Sequence, residues 1–399
     1  MLTFAVLGTI LLSLGFSKAG NQIQQEPMRY DGTFSLYVSF DNGLTFNWIT
    51  GQEQIGVYSV TDEKGEVIKK GTTDKSRVHQ FSLDKRFNKE LYLEFGGDQT
   101  GTEKVQLRSG FDRSKSVFRK VDSLYIVGDV HGSYDQLINL LQRSKIVDSD
   151  LNWTGGKSHL VFMGDLFDRG NDVTKVLWFI HGLEPQAEEK GGQVHIVLGN
   201  HEIMTMTDDL RYIGRKEKAL SIAYKVGYDE MFHPKNSYLG DWLRHMSPVI
   251  KIDDVIFAHG GIVDLGTPLI QEYNDQAFNY MSDEIFLEIT KEHADSASYD
   301  PDKWMRRKSL FYSSVSPMWY RGYAQSDTLE DQLDNMLKKY KSKFHVVGHT
   351  TFETITQRYN GKLITTDVNE KATELLFLLK KGKTYGRFRI DSLGQMTEL

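Results

Sequence analysis

Five points along this chain combine a short apolar run, a small residue and a residue able to bind a metal ion. They are GDVHG at 128–132, GDLFDRG at 164–170, GNHE at 199–202, HGG at 259–261 and GHT at 348–350. Asp129 and His131 flank one residue on a glycine-bounded turn, so a carboxylate and an imidazole can face one ion from alternate positions. Asp165 follows the next run, and its two oxygens can bridge two ions held about 3.5–4 Å apart. Asn200, His259 and His349 would complete the second ion. Their mixture of amide oxygen and neutral imidazole suits Mn, Zn or Fe better than Ca or Mg, which prefer all-oxygen shells. Two such divalent or trivalent metal ions draw a proton from the water between them, giving hydroxide near neutral pH as a nucleophile for phosphorus. In-line attack then needs an acid on the far side. His201, next to Asn200, is the candidate, with Asp168 to fix its tautomer. Arg169 in the DRG turn and Arg321 in WYRGY would grip the phosphoryl oxygens as planar bidentate donors.

The motifs carry weight together rather than singly. A Gly-Asp pair after a strand is common in turns, so GDVHG alone is weak evidence; GDLFDRG and GNHE following it in order are hard to obtain by accident. Arg321 stands among aromatic residues, where a stacked structural arginine is the competing reading. His195 and His345 lie inside apolar strands and read as packed. His79, His159, His181, His233, His245 and His293 have no motif context.

Apolar runs bounded by glycine read as buried strands, which puts each candidate ligand at a strand's C-terminal end, where open α/β sheets gather their sites in one crevice. Tyr134, Leu137, Ile138, Leu140 and Leu141 follow the first motif at helical spacing, and Val173, Val176, Leu177 and Ile180 follow the second. Strand, ligand loop and helix form the repeated α/β unit. Earlier, from Asn21 to Gln106, the segments FSLYVSF, LTFNWI, QIGVYSV, HQFSL and ELYLEF are separated by turn signals with no helical pattern between them, which predicts a small all-β sandwich. The stretch Arg113 to Lys120 reads as a linker. The expected division is a signal peptide over 1–19, an N-terminal β-sandwich domain over 21–112 and a catalytic domain over 120–399. Two stretches dense in Tyr, Trp, Phe and Met, between His201 and His259 and between Gly261 and Gln325, read either as walls of a substrate cleft or as core.

With 399 residues, two domains are expected. A net charge of −6 and a pI of about 6.1 argue against a nucleic-acid partner. Leu2 to Phe16 is apolar and is followed by Ser17, Lys18 and Ala19, which predicts cleavage after Ala19, a periplasmic or secreted protein and no stable membrane association afterwards. No Lys or Arg precedes the apolar stretch, so an uncleaved anchor is the alternative, although the stretch is short for a span. The absence of cysteine excludes disulfides and thiolate chemistry.

The ordered set of motifs resembles the calcineurin-like metallophosphoesterases over roughly residues 122–370, and FDRG with NHE resembles their PPP phosphoprotein phosphatase branch. The resemblance implies a layered metallophosphoesterase β-sandwich flanked by helices. Many members outside that branch carry a second histidine two places after the last one; Thr351 stands there, leaving the first ion with fewer protein ligands. GDVHGSYDQLINLL, LGNHEIM and SPMWYRGY look most like the Shewanella-like phosphatases, a group that includes cold-active protein-tyrosine phosphatases. KLITTDV replaces the SAPNY segment of the serine/threonine members, so phosphotyrosine is the implied preference. The N-terminal part is similar in outline to the fibronectin-like domain of purple acid phosphatases, which however place a metal-binding Tyr where this chain has Asp168. The expected activity is metal-dependent phosphomonoester hydrolysis on a phosphorylated peptide, protein or small molecule. A dinucleoside polyphosphate or phosphodiester hydrolase is the enzymatic rival, and an exported binding protein that works through its β-sandwich is the rival of another class.

Overall fold

The computed structural model describes residues 35–40, 43–86, 88–112, 115–282 and 301–399. The expected signal peptide, and residues 21–34 of the expected first domain, lie outside them.

The first part forms five antiparallel strands, β1 (Tyr37–Ser39), β2 (Leu44–Asp62), β3 (Val67–Leu83), β4 (Leu91–Gly97) and β5 (Gly101–Leu107); LTFNWI and QIGVYSV, expected as separate strands, run together in β2, and β5 lies outside the expected runs. All are hydrogen-bonded into one sheet, with β2 at its centre. That sheet nevertheless forms two layers, because β2 and β3 shift register between Ile49 and Gln54 and again between Ile55 and Val57. Such irregularities bend a strand. Phe46 stacks on Phe81 at 4.6 Å, and Tyr58, from the far half of β2, stacks on the same Phe81 at 3.8 Å. The Trp48 indole N–H closes the fold by donating to the Gly96 carbonyl at 3.0 Å. The sandwich is therefore one sheet doubled over, with its long strands running through both layers.

Two six-stranded sheets follow. One has the order β13-β14-β12-β11-β10-β6 and the other β17-β16-β15-β7-β8-β9. Their strands are β6 (Val117–Phe118), β7 (Ser123–Val127), β8 (His159–Phe162), β9 (Gln193–Ile196), β10 (Val249–Ile252), β11 (Val255–Ala258), β12 (Phe344–Val347), β13 (Thr356–Arg358), β14 (Leu363–Thr365), β15 (Glu374–Lys381), β16 (Thr384–Asp391) and β17 (Met396–Glu398). The sheets face each other across Leu124, Ile126, Val161 and Leu376 from one side and Phe257, Val346 and Ile364 from the other. β6 lies in the stretch read as a linker and pairs with β10, so its sheet begins ahead of residue 120.

Helices α1 (Tyr134–Arg143) and α2 (Val173–Glu189) follow the first two motifs as their periodicity predicts. α2 is buried on nearly every side, because it packs against β9 and also against β5. Trp178 of α2 donates its indole N–H to the Leu36 carbonyl at 2.9 Å, and Arg108 pairs with Glu184 and Glu188 at 3.3 and 2.9 Å. Leu36, Phe46 and Trp48 belong to the same continuous apolar core as Trp178, Phe232 and Trp242. The next helices are α3 (Asn200–Met206), α4 (Arg215–Tyr224), α5 (Tyr238–Arg244), α6 (Ile270–Met281), α7 (Pro301–Tyr312), α8 (Gly322–Gln325) and α9 (Glu330–Lys339). Phe232, Tyr238 and Trp242, aromatics of the first rich stretch, are buried core. Among the described residues no helix is long and apolar enough to cross a membrane.

Trp178→Ala removes a buried indole shared by both parts and should cost about 3–5 kcal/mol. Chemical denaturation followed by circular dichroism and by tryptophan fluorescence should show one transition at lower denaturant. Separate melting of the N-terminal sheet would contradict a common core.

Candidate metal centre

The parallel strands β7, β8 and β9 end shortly before Asp129, Asp165 and Asn200, while β11 and β12 of the facing sheet end just before His259 and His349. The site thus draws on two facing sheets and not on the crevice of one open sheet expected from strand ends.

His131, Asp165, Asp168, Arg169 and His349 all have positive φ, at 46°, 50°, 68°, 63° and 63°. Side chains resist this conformation by on the order of 1 kcal/mol or more each, so surrounding contacts must impose it. Glu202, fully buried, supplies the main one. Its Oε2 accepts the Asp165 and Gly199 amides at 2.9 and 2.7 Å, and its Oε1 accepts the Leu166 amide at 2.7 Å. The Asp165 carbonyl in turn accepts the Val130 and His131 amides at 3.1 and 2.8 Å, and Asp129 Oδ1 accepts the His349 amide at 3.1 Å. Four loops are cross-linked in this way. Glu202 was not singled out from sequence, yet a signal existed: a Glu at the third position of a helix whose cap is glycine can reach back to the cap's N–H. Asp367, from KLITTDV, was also missed. It is buried beside Asp129, accepts the Thr351 hydroxyl at 2.6 Å and pairs with Lys371. Burial and the Asp367 charge push the Asp129 carboxyl well above its usual range.

Three imidazoles are oriented by one rule. His131 Nδ1 lies 2.6 Å from the Phe167 carbonyl, His259 Nδ1 2.7 Å from the Met163 carbonyl and His349 Nε2 3.1 Å from the Trp319 carbonyl. The nitrogen facing the carbonyl must carry the hydrogen, so the other turns its lone pair inward. His131 Nε2 is buried with no hydrogen-bond partner among the described residues, 3.8 Å from Asp165 Oδ2 and 4.0 Å from Asp129 Oδ2. His259 Nε2 lies 3.1 Å from Asp165 Oδ2, 3.2 Å from Asn200 Oδ1 and 3.1 Å from His349 Nδ1. Burial disfavours a His259 cation, but Asp165 and Asp129 outweigh it and raise its pKa to about 9. The buried carboxylates demand positive charge at this point, and a proton or a metal cation can supply it. Two groups could hold an ion, His131 with Asp165 and His201, and Asp165 with His259 and His349, so Asp165 is common to both.

His201 stands at the edge of the first group. Its Nδ1 meets Asp168 Oδ2 at 2.6 Å, its amide donates to Asp165 Oδ1 at 3.0 Å, and its Nε2 lies 3.8 Å from Asp165 Oδ2. Burial works against the imidazolium, yet Asp165 and Asp168 prevail and its pKa is raised. Arg169 is exposed at the rim. Arg321 is half-buried and donates to the His349 carbonyl and to Thr350 Oγ1, the latter at 3.4 Å. His345 and His195 sit elsewhere, His345 between the Ile256 carbonyl and the Ile262 amide and His195 against His159 at 2.8 Å.

Residues 123–351 match the sequence profile of the calcineurin-like phosphoesterases. The chain is 25% identical over 287 residues to Shewanella-like protein phosphatase 1 of Plasmodium berghei (strain Anka), covering 71% of this chain and 72% of that protein. It is 37% identical over 99 residues to Shewanella-like protein phosphatase 2 of Arabidopsis thaliana, a quarter (25%) of each chain. The solved cold-active protein-tyrosine phosphatase of a psychrophilic Shewanella species shares 26% identity and superposes with a TM-score of 0.70 over 92% of this chain and 98% of its own.

A cation that binds beside His259 must displace the proton held there below about pH 9. Apparent metal affinity should therefore fall as pH drops, by up to about tenfold per unit, with proton release visible by calorimetry in buffers of different ionisation heat. Affinity that is flat between about pH 6 and pH 8 would contradict this. Glu202→Gln turns an accepting oxygen into a donor facing backbone amides. It should lower stability by roughly 1–3 kcal/mol and weaken metal retention on dialysis; unchanged metal content and melting would remove Glu202 from its role.

Proposed function

The chain belongs to the calcineurin-like phosphoesterase family, and from that premise we propose that it is a two-metal phosphomonoesterase that hydrolyses phosphotyrosine in peptides, proteins or small aryl phosphates. One observation carries the reading: the buried Asp165 carboxylate lies between imidazoles of the two sets, 3.8 Å from His131 Nε2 and 3.1 Å from His259 Nε2. Asp129, His131 and Asp165 would hold one ion, and Asp165, Asn200, His259 and His349 the other. The donor set favours Mn, Zn or Fe. When bound, such ions supply Lewis acidity toward the phosphoryl oxygens and toward the attacking water.

The remaining work falls to the chain's own groups. His201 Nε2–H donates its proton to the departing oxygen. The Asp168 carboxylate fixes the Nδ1–H tautomer at 2.6 Å and favours the charged imidazole, so His201 keeps its proton to higher pH than a free imidazole does. Arg321 and Arg169, at the rim, offset charge that develops on the phosphoryl oxygens. The likeness to the cold-active protein-tyrosine phosphatase supports a phenolic leaving group. The reading extends to an exported enzyme, on the strength of the Leu2–Phe16 stretch and Ala19.

His201→Asn should retain both metals by elemental analysis yet slow turnover by 10²–10⁴-fold, roughly the range for a lost general acid. Metal loss in this variant would make His201 a ligand instead. Metal-depleted enzyme reconstituted separately with Mn, Zn or Fe should act fastest on phosphotyrosine when offered matched phosphotyrosine, phosphoserine and phosphothreonine peptides and a dinucleoside tetraphosphate. Faster turnover of the tetraphosphate would overturn the substrate class.

A further inference from the structure

Among the described residues, Trp319 and Tyr212 place aromatic rings next to the centre, and they differ in availability. The Trp319 ring lies 6.0 Å from the His349 ring, and its indole N–H is engaged with the Phe311 carbonyl at 2.6 Å. Tyr212 is 47% exposed, yet its ring centroid lies 5.5 Å from the imidazole of buried His201. The two rings are tilted by 54°, so a half-exposed aromatic ring stands beside the buried imidazole.

The position of Tyr212 is fixed by its backbone. Its carbonyl accepts the Arg169 amide at 2.7 Å. Gly214 presses on the Gly170 carbonyl so closely that a Cβ would lie 1.9 Å from that oxygen, and Lys216 Nζ holds Asp172 at 2.5 Å. The segment is thereby fastened to the turn that carries Asp168, the partner of His201. The Arg211 guanidinium, held by Asp209 at 2.7 and 2.8 Å, stands 5.5 Å from the Tyr212 ring.

We infer that Tyr212 selects aryl over alkyl phosphates by stacking on the ring of the departing group. This rests on the reading above, in which His201 protonates the leaving oxygen. An oxygen within hydrogen-bond reach of His201 Nε2 brings its substituent alongside His201, whose imidazole lies 5.5 Å from the half-exposed Tyr212 ring. A phenyl substituent can overlap that ring. The methylene of a seryl group offers no face to stack, so the contact discriminates between leaving groups and adds to transition-state binding only for the aromatic one.

The test uses the full-length, metal-loaded enzyme and two peptides of one sequence, phosphorylated on Tyr or on Ser. Tyr212→Leu should lower the phosphotyrosine-to-phosphoserine ratio of kcat/KM by roughly 2- to 12-fold, the span expected of one aromatic pair, while Tyr212→Phe keeps the ratio. Tyr212→Gln is a second replacement at this exposed position and should behave like Leu. If Leu and Gln depress both substrates equally, Tyr212 only positions His201 and this inference falls alone. A wild-type enzyme inert toward phosphotyrosine but active on the dinucleoside tetraphosphate would bring down the substrate reading and this inference with it.

Discussion

Asp165 adopts a backbone conformation that a side chain resists, and it stays there because Glu202 takes its amide hydrogen together with those of Leu166 and Gly199. Burying a carboxylate is costly, and the neighbouring charge of Asp165 adds to that cost; burial and Asp165 raise the Glu202 carboxyl above its usual range. Three backbone N–H groups offset the penalty in part. What the fold gains is rigidity between loops that arrive from distant parts of the chain. The Asp165 carbonyl passes the constraint to Val130 and His131, and Asp129 passes it to His349. The donors therefore hold their relative positions as a unit, a condition for stabilising a transition state without reorganisation.

The two facing sheets explain how the donors meet. Parallel strands in each sheet end on one side of the molecule, and apolar side chains between the sheets fix how those ends oppose one another. The short strands, mostly of three to five residues in this part, leave the loops that carry the candidate donors close to that packed interior. Histidine orientation then follows from the carbonyls of Met163, Phe167 and Trp319, so the choice of ring nitrogen is a property of the backbone.

Much of this was legible in the amino-acid order, and for a local reason. Asp129, His131, Asp165, Asn200, His259 and His349 each follow an apolar run within a few residues, and a side chain so close to a strand end has little freedom of position. The periodicities of α1 and α2 were readable on the same grounds. What escaped depends on pairing across the chain. Glu202 and Asp367 act through backbone amides and through neighbours in space, and nothing in their immediate sequence marks them as belonging to the centre apart from the capping geometry of Glu202. The doubling of the first sheet depends on register shifts between β2 and β3, which alternation of side chains does not reveal. The aromatic-rich stretches divided between both readings offered for them, since Trp242 and Phe232 entered the core while Trp319 and Arg321 reached the site.

The bond from the Trp178 indole to the Leu36 carbonyl has an evolutionary implication. Recombination that swapped the front portion for an unrelated module would strand that donor in an apolar setting and uncover a helix shaped to be enclosed. Substitutions on either side of that contact are therefore expected to arise in step.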